Sequence, residues 1–232
     1  MTKKNCIAFF STLLLALSFL GCADSSSDNK TNLRFMNAVV GVGDVDLLID
    51  SDEYLENVSY LESTAYLEFD TDPHLFQVTP SNSLTPIDSQ LTSLQDDVDY
   101  TYIACGTSSE AEAILLRDDN EPAGDGSFRG RIINVFKKGV SFDVYVLANS
   151  SDVDRLEPTA KKIGYKAATG YQAARSGRYD IIVRRSKTSQ VVATVAGQEF
   201  KSESVYSIML VADGENPDKT RVLVLTDREN GD

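Results

Sequence analysis

The chain has 232 residues, with 35 acidic against 22 basic side chains, a formal net charge of −13, one histidine and three cysteines. A surface this acidic repels phosphate and excludes nucleic acid as a partner, and so few His and Cys exclude zinc sites built from them. An apolar fraction of 42% supports a packed core, which excludes a disordered chain.

Lys3 and Lys4 precede an uncharged apolar run at residues 7–20. Fourteen residues at helical rise cover about 21 Å, short of the roughly 30 Å of hydrocarbon that a spanning helix must cross. A basic start, an apolar stretch of this length and a small residue after it predict a signal peptide over residues 1–21. Phe19-Leu20-Gly21-Cys22 resembles the bacterial lipobox, although Phe19 stands where Leu is usual. The resemblance implies cleavage before Cys22, diacylation of its thiol and acylation of the new amine, and more than one chain makes such anchoring stable. Residues 22–30 are then the lipidated cysteine and a flexible polar tether, and nine residues reach at most about 30 Å. By resemblance to enterobacterial sorting, Ala23 rather than Asp after the cysteine directs the chain to the outer membrane. The expected location is thus the cell envelope, on its periplasmic or outer face.

The remainder repeats itself. Residues 33–49 lie on 130–146 without gaps, matching Arg34 with Arg131, Asn37 with Asn134, and Asp46 with Asp143. After an insertion of eight residues in the second copy, 58–78 fall on 163–183, matching Tyr60 with Tyr165, Thr64 with Thr169, and Tyr66 with Tyr171. Later, 100–105 fall on 206–211 and 114–118 on 223–227, and the order of the blocks is kept. Two domains are predicted, at 31–120 and 127–232, joined by the turn-rich linker Glu121-Pro-Ala-Gly-Asp-Gly126.

Each block reads as strand. Val45, Leu47 and Ile49 alternate with Asp44, Asp46 and Asp50, and Phe142, Val144 and Val146 occupy the equivalent places. Further β-rich runs follow at 179–185, 190–195 and 220–226, and a weak helical stripe lies within 153–164. About seven short strands per copy predict an all-β protein of two tandem small sandwiches, Ig-like or transthyretin-like.

The pattern Arg-x-x-Asn, Asp-Val/Leu-x-Val/Ile, Tyr-x-x-x-Thr-x-Tyr, Tyr-Thr-x-x-Ala and a closing Leu-x-Leu-x-Asp resembles the envelope-lipoprotein domain of unknown function 4397, over nearly all of the mature chain. Arg175-Ser-Gly-Arg-Tyr179 keeps that family's Ala-Gly-x-Tyr turn, whereas Asp70-Thr-Asp-Pro-His74 departs from it. The resemblance implies an extracytoplasmic β-sandwich and no particular reaction.

Catalysis needs a tuned base or nucleophile. His74 is the one histidine, beside Pro73 at a predicted turn, and its counterpart is Tyr179. Cys105 sits in an apolar run and reads as a small buried hydrophobe rather than a reactive thiol. No phosphate loop, nucleophile elbow or dinucleotide fingerprint appears, so no enzyme is expected. The shared Arg34/Arg131, Asn37/Asn134 and Asp46/Asp143 are either a repeated ligand site or architecture, with Asn capping a turn and Arg paired with Asp between neighbouring strands. The tyrosine pairs, six apart, are read as lying on one side of an extended strand. Residues 31–120 carry eighteen carboxylates and two cations, whereas 121–232 carry fifteen and seventeen. Most such charge is a solvated face; used functionally, it implies acidic-to-basic contact between molecules or an anionic polymer held on the second domain. Asp118, Asp119, Asn120 and Asp125 around the linker are the candidate oxygen ligands for calcium. The expected function is a non-catalytic, membrane-anchored binding or adhesion module for an envelope polymer. The alternatives are a structural subunit docking an envelope protein partner and a calcium-dependent tandem sandwich.

Overall fold

The computed structural model describes residues 30–148, 153–214 and 216–231; the leader and Cys22 lie outside them. The protein is all-β, with several sheets stacked as sandwich layers. Among the described residues the one helical element is a single 3₁₀ turn, Val153–Arg155. The stripe over 153–164 therefore makes no longer helix: Pro158 disfavours helical backbone before it, and residues 160–163 become strand.

Eight strands form a first sandwich: β1 (Lys30–Val40), β2 (Val45–Ile49), β3 (Asp52–Val58), β4 (Leu67–Asp70), β5 (His74–Pro80), β6 (Asp88–Thr92), β7 (Asp99–Thr107) and β8 (Glu110–Arg117). Its sheets run β4-β1-β7-β8 and β3-β2-β5-β6. Nine described strands form a second: β9 (Ser127–Asn134), β10 (Phe142–Leu147), β11 (Ala160–Ile163), β12 (Ala167–Ala168), β13 (Gln172–Arg175), β14 (Gly177–Arg185), β15 (Val191–Phe200), β16 (Val205–Ala212) and β17 (Thr220–Arg228). These run β12-β9-β16-β17, with β13 also on β9, and β11-β10-β14-β15. Seven strands per sandwich were expected. The surplus includes short edge strands: β12 and β13 both pair with β9 but are separated at 169–171, where the Thr169 hydroxyl accepts from the Ile132 amide of β9 and Tyr171 turns its hydroxyl to Asp227.

In each sandwich the first strand pairs in parallel with the next-to-last, β1 with β7 and β9 with β16; the other pairings are antiparallel. Parallel neighbours need a crossover, here supplied by the whole second sheet. These inner strands are buried on both faces. Tyr100, Tyr102 and Ala104 of β7 enter the first core, while Ile103 and Cys105 point the other way. Likewise Tyr206, Ile208 and Leu210 of β16 enter the second core, and Met209 and Val211 leave it. Two buried faces require an unbroken apolar run, which is why 100–105 and 206–211 lack alternation.

The outward-pointing set makes a third core. Met36, Ala38, Ile103 and Cys105 meet Ile133, Val135, Met209 and Val211, all buried. At about 2 kcal/mol per large apolar side chain, this seam contributes on the order of 10 kcal/mol before ordering costs. The linker thus joins two sandwiches that are packed sheet against sheet, four layers deep.

Candidate functional site

Part of the polar set shared by the two halves, the two arginines foremost, converges at this seam. Arg34 on β1 donates from Nε to Thr101 Oγ1 at 2.8 Å and from Nη2 to Asp227 Oδ1 at 2.5 Å. Arg131 on β9 donates from Nε to Ser207 Oγ at 2.8 Å and from Nη2 to Asp118 Oδ1 at 2.5 Å. Each arginine therefore bonds a hydroxyl in its own sandwich and a carboxylate in the other. Tyr66 and Thr101 donate to Asp118 Oδ2, both at 2.5 Å; Tyr171 and Ser207 donate to Asp227 Oδ2 at 2.8 and 2.7 Å. The guanidinium carbons stand 4.9 Å from the Tyr66 ring centre and 4.7 Å from that of Tyr171, within cation–π range.

All four charged side chains are at most 4% exposed. Burial holds the Asp118 carboxyl above its ordinary value against the pull of Arg131 and Arg34. Burial is the largest influence on Arg34 and works against its charge, but Asp227, Tyr66 and Asp118 together outweigh it and raise the guanidinium's pKa. Burial foremost raises the hydroxyls of Tyr66 and Tyr171, with Asp118 and Asp227 adding to it. The set is a closed, mutually neutralised clamp rather than an open ligand cradle. The arginines are paired across the seam, not with Asp46 or Asp143 on the next strand. The partners that sequence reasoning missed had been aligned, since Asp118 and Asp227 both close the Leu-x-Leu-x-Asp block and Thr101 falls on Ser207.

The other shared positions do architectural work. Asn37 donates to the Gly43 and Val58 carbonyls and accepts from the Val39 amide. Asn134 donates to the Val140 and Ile163 carbonyls and accepts from the Phe136 amide. Asp46 accepts from the Asn57 amide and Ser81; Asp143 accepts from the Lys162 amide and Ser186. Asn57 and Lys162 both have positive φ and lie where β2–β3 and β10–β11 shift register, so each carboxylate pins the left-handed residue of a β-bulge.

The acids around the linker have separate partners. Asp118 belongs to the clamp, Asp119 is paired with Arg129, Asn120 donates to Asp99 at 2.6 Å, and Asp125 accepts from Ser202. Among the described residues no group of three or more His, Cys, Asp or Glu side chains is arranged to hold a metal. A polar cleft of about 530 Å³ lies beside them, walled by Asp97, Asp99, Asp119, Glu121 and Arg228.

Basic residues of the second half meet acids of the first within the molecule. Lys138 and Lys166 reach Glu112 at 3.0 and 3.2 Å, so this part of the charge asymmetry is spent between sandwiches of one chain. Tyr60 and Tyr66 do not share a strand face: Tyr60 donates to the Ala212 carbonyl at 2.8 Å, while Tyr66 joins the clamp. Tyr165, the counterpart of Tyr60, lies 3.3 Å from Cys105 Sγ. Burial pushes the Cys105 thiol up to about 11, which leaves it inert at neutral pH. His74 opens β5 rather than sitting in a turn, held by Asp50 at 2.5 Å and Asp70 at 2.6 Å. Burial opposes its charge, but the bonds to both carboxylates outweigh that and raise its pKa.

Fold and clamp together define a class: an all-β protein of two face-packed sandwiches locked by reciprocal buried ion pairs. The model of the family described as Domain of unknown function (DUF4397) matches residues 31–145, and that segment belongs to this family. The match spans the first sandwich, β9 and most of β10, and stops short of the rest of the second sandwich. No curated protein matches the chain.

Proposed function

We propose that this protein is a non-catalytic, lipid-anchored module of the bacterial cell envelope, built from a tandem duplication, that binds an envelope polymer or mediates adhesion. The observation that carries the reading is the clamp. The most deeply buried charges among the described residues, Arg34, Arg131, Asp118 and Asp227, neutralise one another across the seam, so they fix two sandwiches as one rigid body instead of activating a substrate. A rigid body loses little freedom on binding, which suits a presenting module. The leader and Cys22 supply the anchor, and Ala23 favours the outer membrane.

Two measurements test this. Radiolabelled palmitate is incorporated by the wild type and not by Cys22→Ala. An array of glycans and envelope polymers probed with the protein gives at least one saturable binder, and binding to none sinks the adhesion reading. A second reading, an accessory subunit docking a protein partner by strand addition, draws on the edge strand β6, where Leu91 is 75% exposed. Crosslinking in whole envelopes that captures one stoichiometric protein favours it.

A further inference from the structure

The two sandwiches fill their cores differently. In the first, Tyr54, Phe69, Phe76, Tyr102 and Phe35 form a continuous aromatic cluster with ring centres 5.2 to 6.2 Å apart. The positions matching Phe69, Tyr102 and Phe35 in the second are Ala174, Ile208 and Ile132, and Leu33 is matched by Gly130; Thr159 takes the place of Tyr54, because Ala160 pairs with Val144 as Leu55 pairs with Leu47. Every one of these exchanges removes volume. The aromatic mass of the second sandwich lies further along, where Phe128 stacks on Phe200 at 4.3 Å and Tyr179 meets both edge-on. Between the two regions a slot of about 100 Å³ opens between the sheets, walled by Gly130, Ile132, Val146, Ala160, Ala174 and Ile208.

The hydroxyls on its walls are occupied. Thr159 accepts from the Val146 amide and Thr169 from the Ile132 amide, both at 2.9 Å. Besides Gln172, what remains is apolar surface, aliphatic side chains together with the rings of Phe128 and Tyr179. A cavity of about 150 Å³ lined in this way stays dry and takes benzene, so this slot holds about four carbons, too few for a fused ring system. Its walls lack the dense donors and acceptors that a sugar requires.

We propose that this slot receives the end of an unbranched alkyl chain belonging to an amphiphile, with the polar head left outside β13. The site stands apart from any polymer held on the outer faces, because it lies between the sheets. Gly130 is the position that keeps it open. A Cβ there meets Phe128 at 3.5 Å and the Tyr206 carbonyl at 3.6 Å, ordinary contacts, so a leucine, as at position 33, fits the backbone and fills the slot.

The test uses the full chain in phosphatidylethanolamine–phosphatidylglycerol vesicles with octanoic acid carrying a terminal diazirine. After irradiation, adducts map to residues 128–132 and 172–179, are competed by plain octanoate, and fall about tenfold or more in Gly130→Leu, a loss of about 1.4 kcal/mol in affinity. Ile208→Tyr, which restores the first sandwich's residue, gives the same loss by a second route. A parallel arm places the diazirine at the end of a phospholipid acyl chain; labelling there identifies membrane lipid as the source, and labelling by octanoate alone identifies a free amphiphile. Absence of adducts in both segments in both arms, or labelling unchanged in both variants, overturns the proposal.

Discussion

Arg34 and Asp227 stand 193 residues apart in the chain and 2.5 Å apart in space, both buried, one in each sandwich. Removing one member of such a pair strands the other charge, at a cost of about 3 kcal/mol. Arg34→Leu is expected to lower stability by about that amount in calorimetric unfolding. Asp227→Leu behaves similarly, and the double variant loses less than the sum of the two, because no charge is left unpaired.

The third core protects Cys105. In the native protein, peptide mapping after iodoacetamide treatment at neutral pH is expected to find Cys105 unmodified. Met209→Asp places a carboxylate in that seam and leaves the two inner cores intact. Partial parting of the sandwiches then makes Cys105 reactive, with the far-ultraviolet β signal retained. A variant that stays unreactive shows that the seam tolerates charge and contributes little.

Asn37 and Asn134 each satisfy three backbone groups at the corner after the first strand of their sandwich. Asn37→Ala and Asn134→Ala are each expected to cost about 2 kcal/mol in urea unfolding, since buried donors and acceptors lose their partners. A large cost in one and none in the other breaks the equivalence of the two corners.

The Asp50–His74–Asp70 cluster gives a pH signature. The imidazole's pKa is raised above 6.5 in the fold, so its stabilisation is complete below 6.5 and fades as pH rises through the raised value. Hydrogen bonds from His74 foremost lower both carboxylates below 3.8, so that contribution fades as pH falls through their lowered values. The wild type therefore exceeds His74→Gln most between about pH 4 and 6.5. Melting curves across pH 3 to 9 check this, and a constant difference rules it out.

Much of this was legible in the residues. Alternation at 45–49 and 142–146 revealed strands with one buried face, and the ungapped blocks revealed which residues play equivalent parts. The seam was not foreseen, although 100–105 and 206–211 already lacked alternation, the mark of a sheet covered on both sides. The arginine partners were missed because a shared Asp on the neighbouring strand, Asp46 or Asp143, offered a nearer solution. Sequence matching says which positions correspond; it does not say that a bond crosses from one copy to the other. The slot was equally hidden, because it arises from exchanges scattered over β9, β13, β16 and the residue before β11 that mean nothing until they are stacked.

Lys30 is bonded to Asp96 and Asp97, Asn120 to Asp99, and Arg228 to the Asn120 carbonyl. Entry to the first sandwich, exit to the second and the close of the chain thus share one pole of the molecule. If the chain is anchored at Cys22 as proposed, that shared pole would face the bilayer and the sandwiches would stand shoulder to shoulder, like two posts on one footing, instead of one atop the other. The opposite pole then offers the β1–β2 and β7–β8 connections beside those after β9 and β16, all at the same height. Anything arriving from outside would meet an acidic and a more basic tip together.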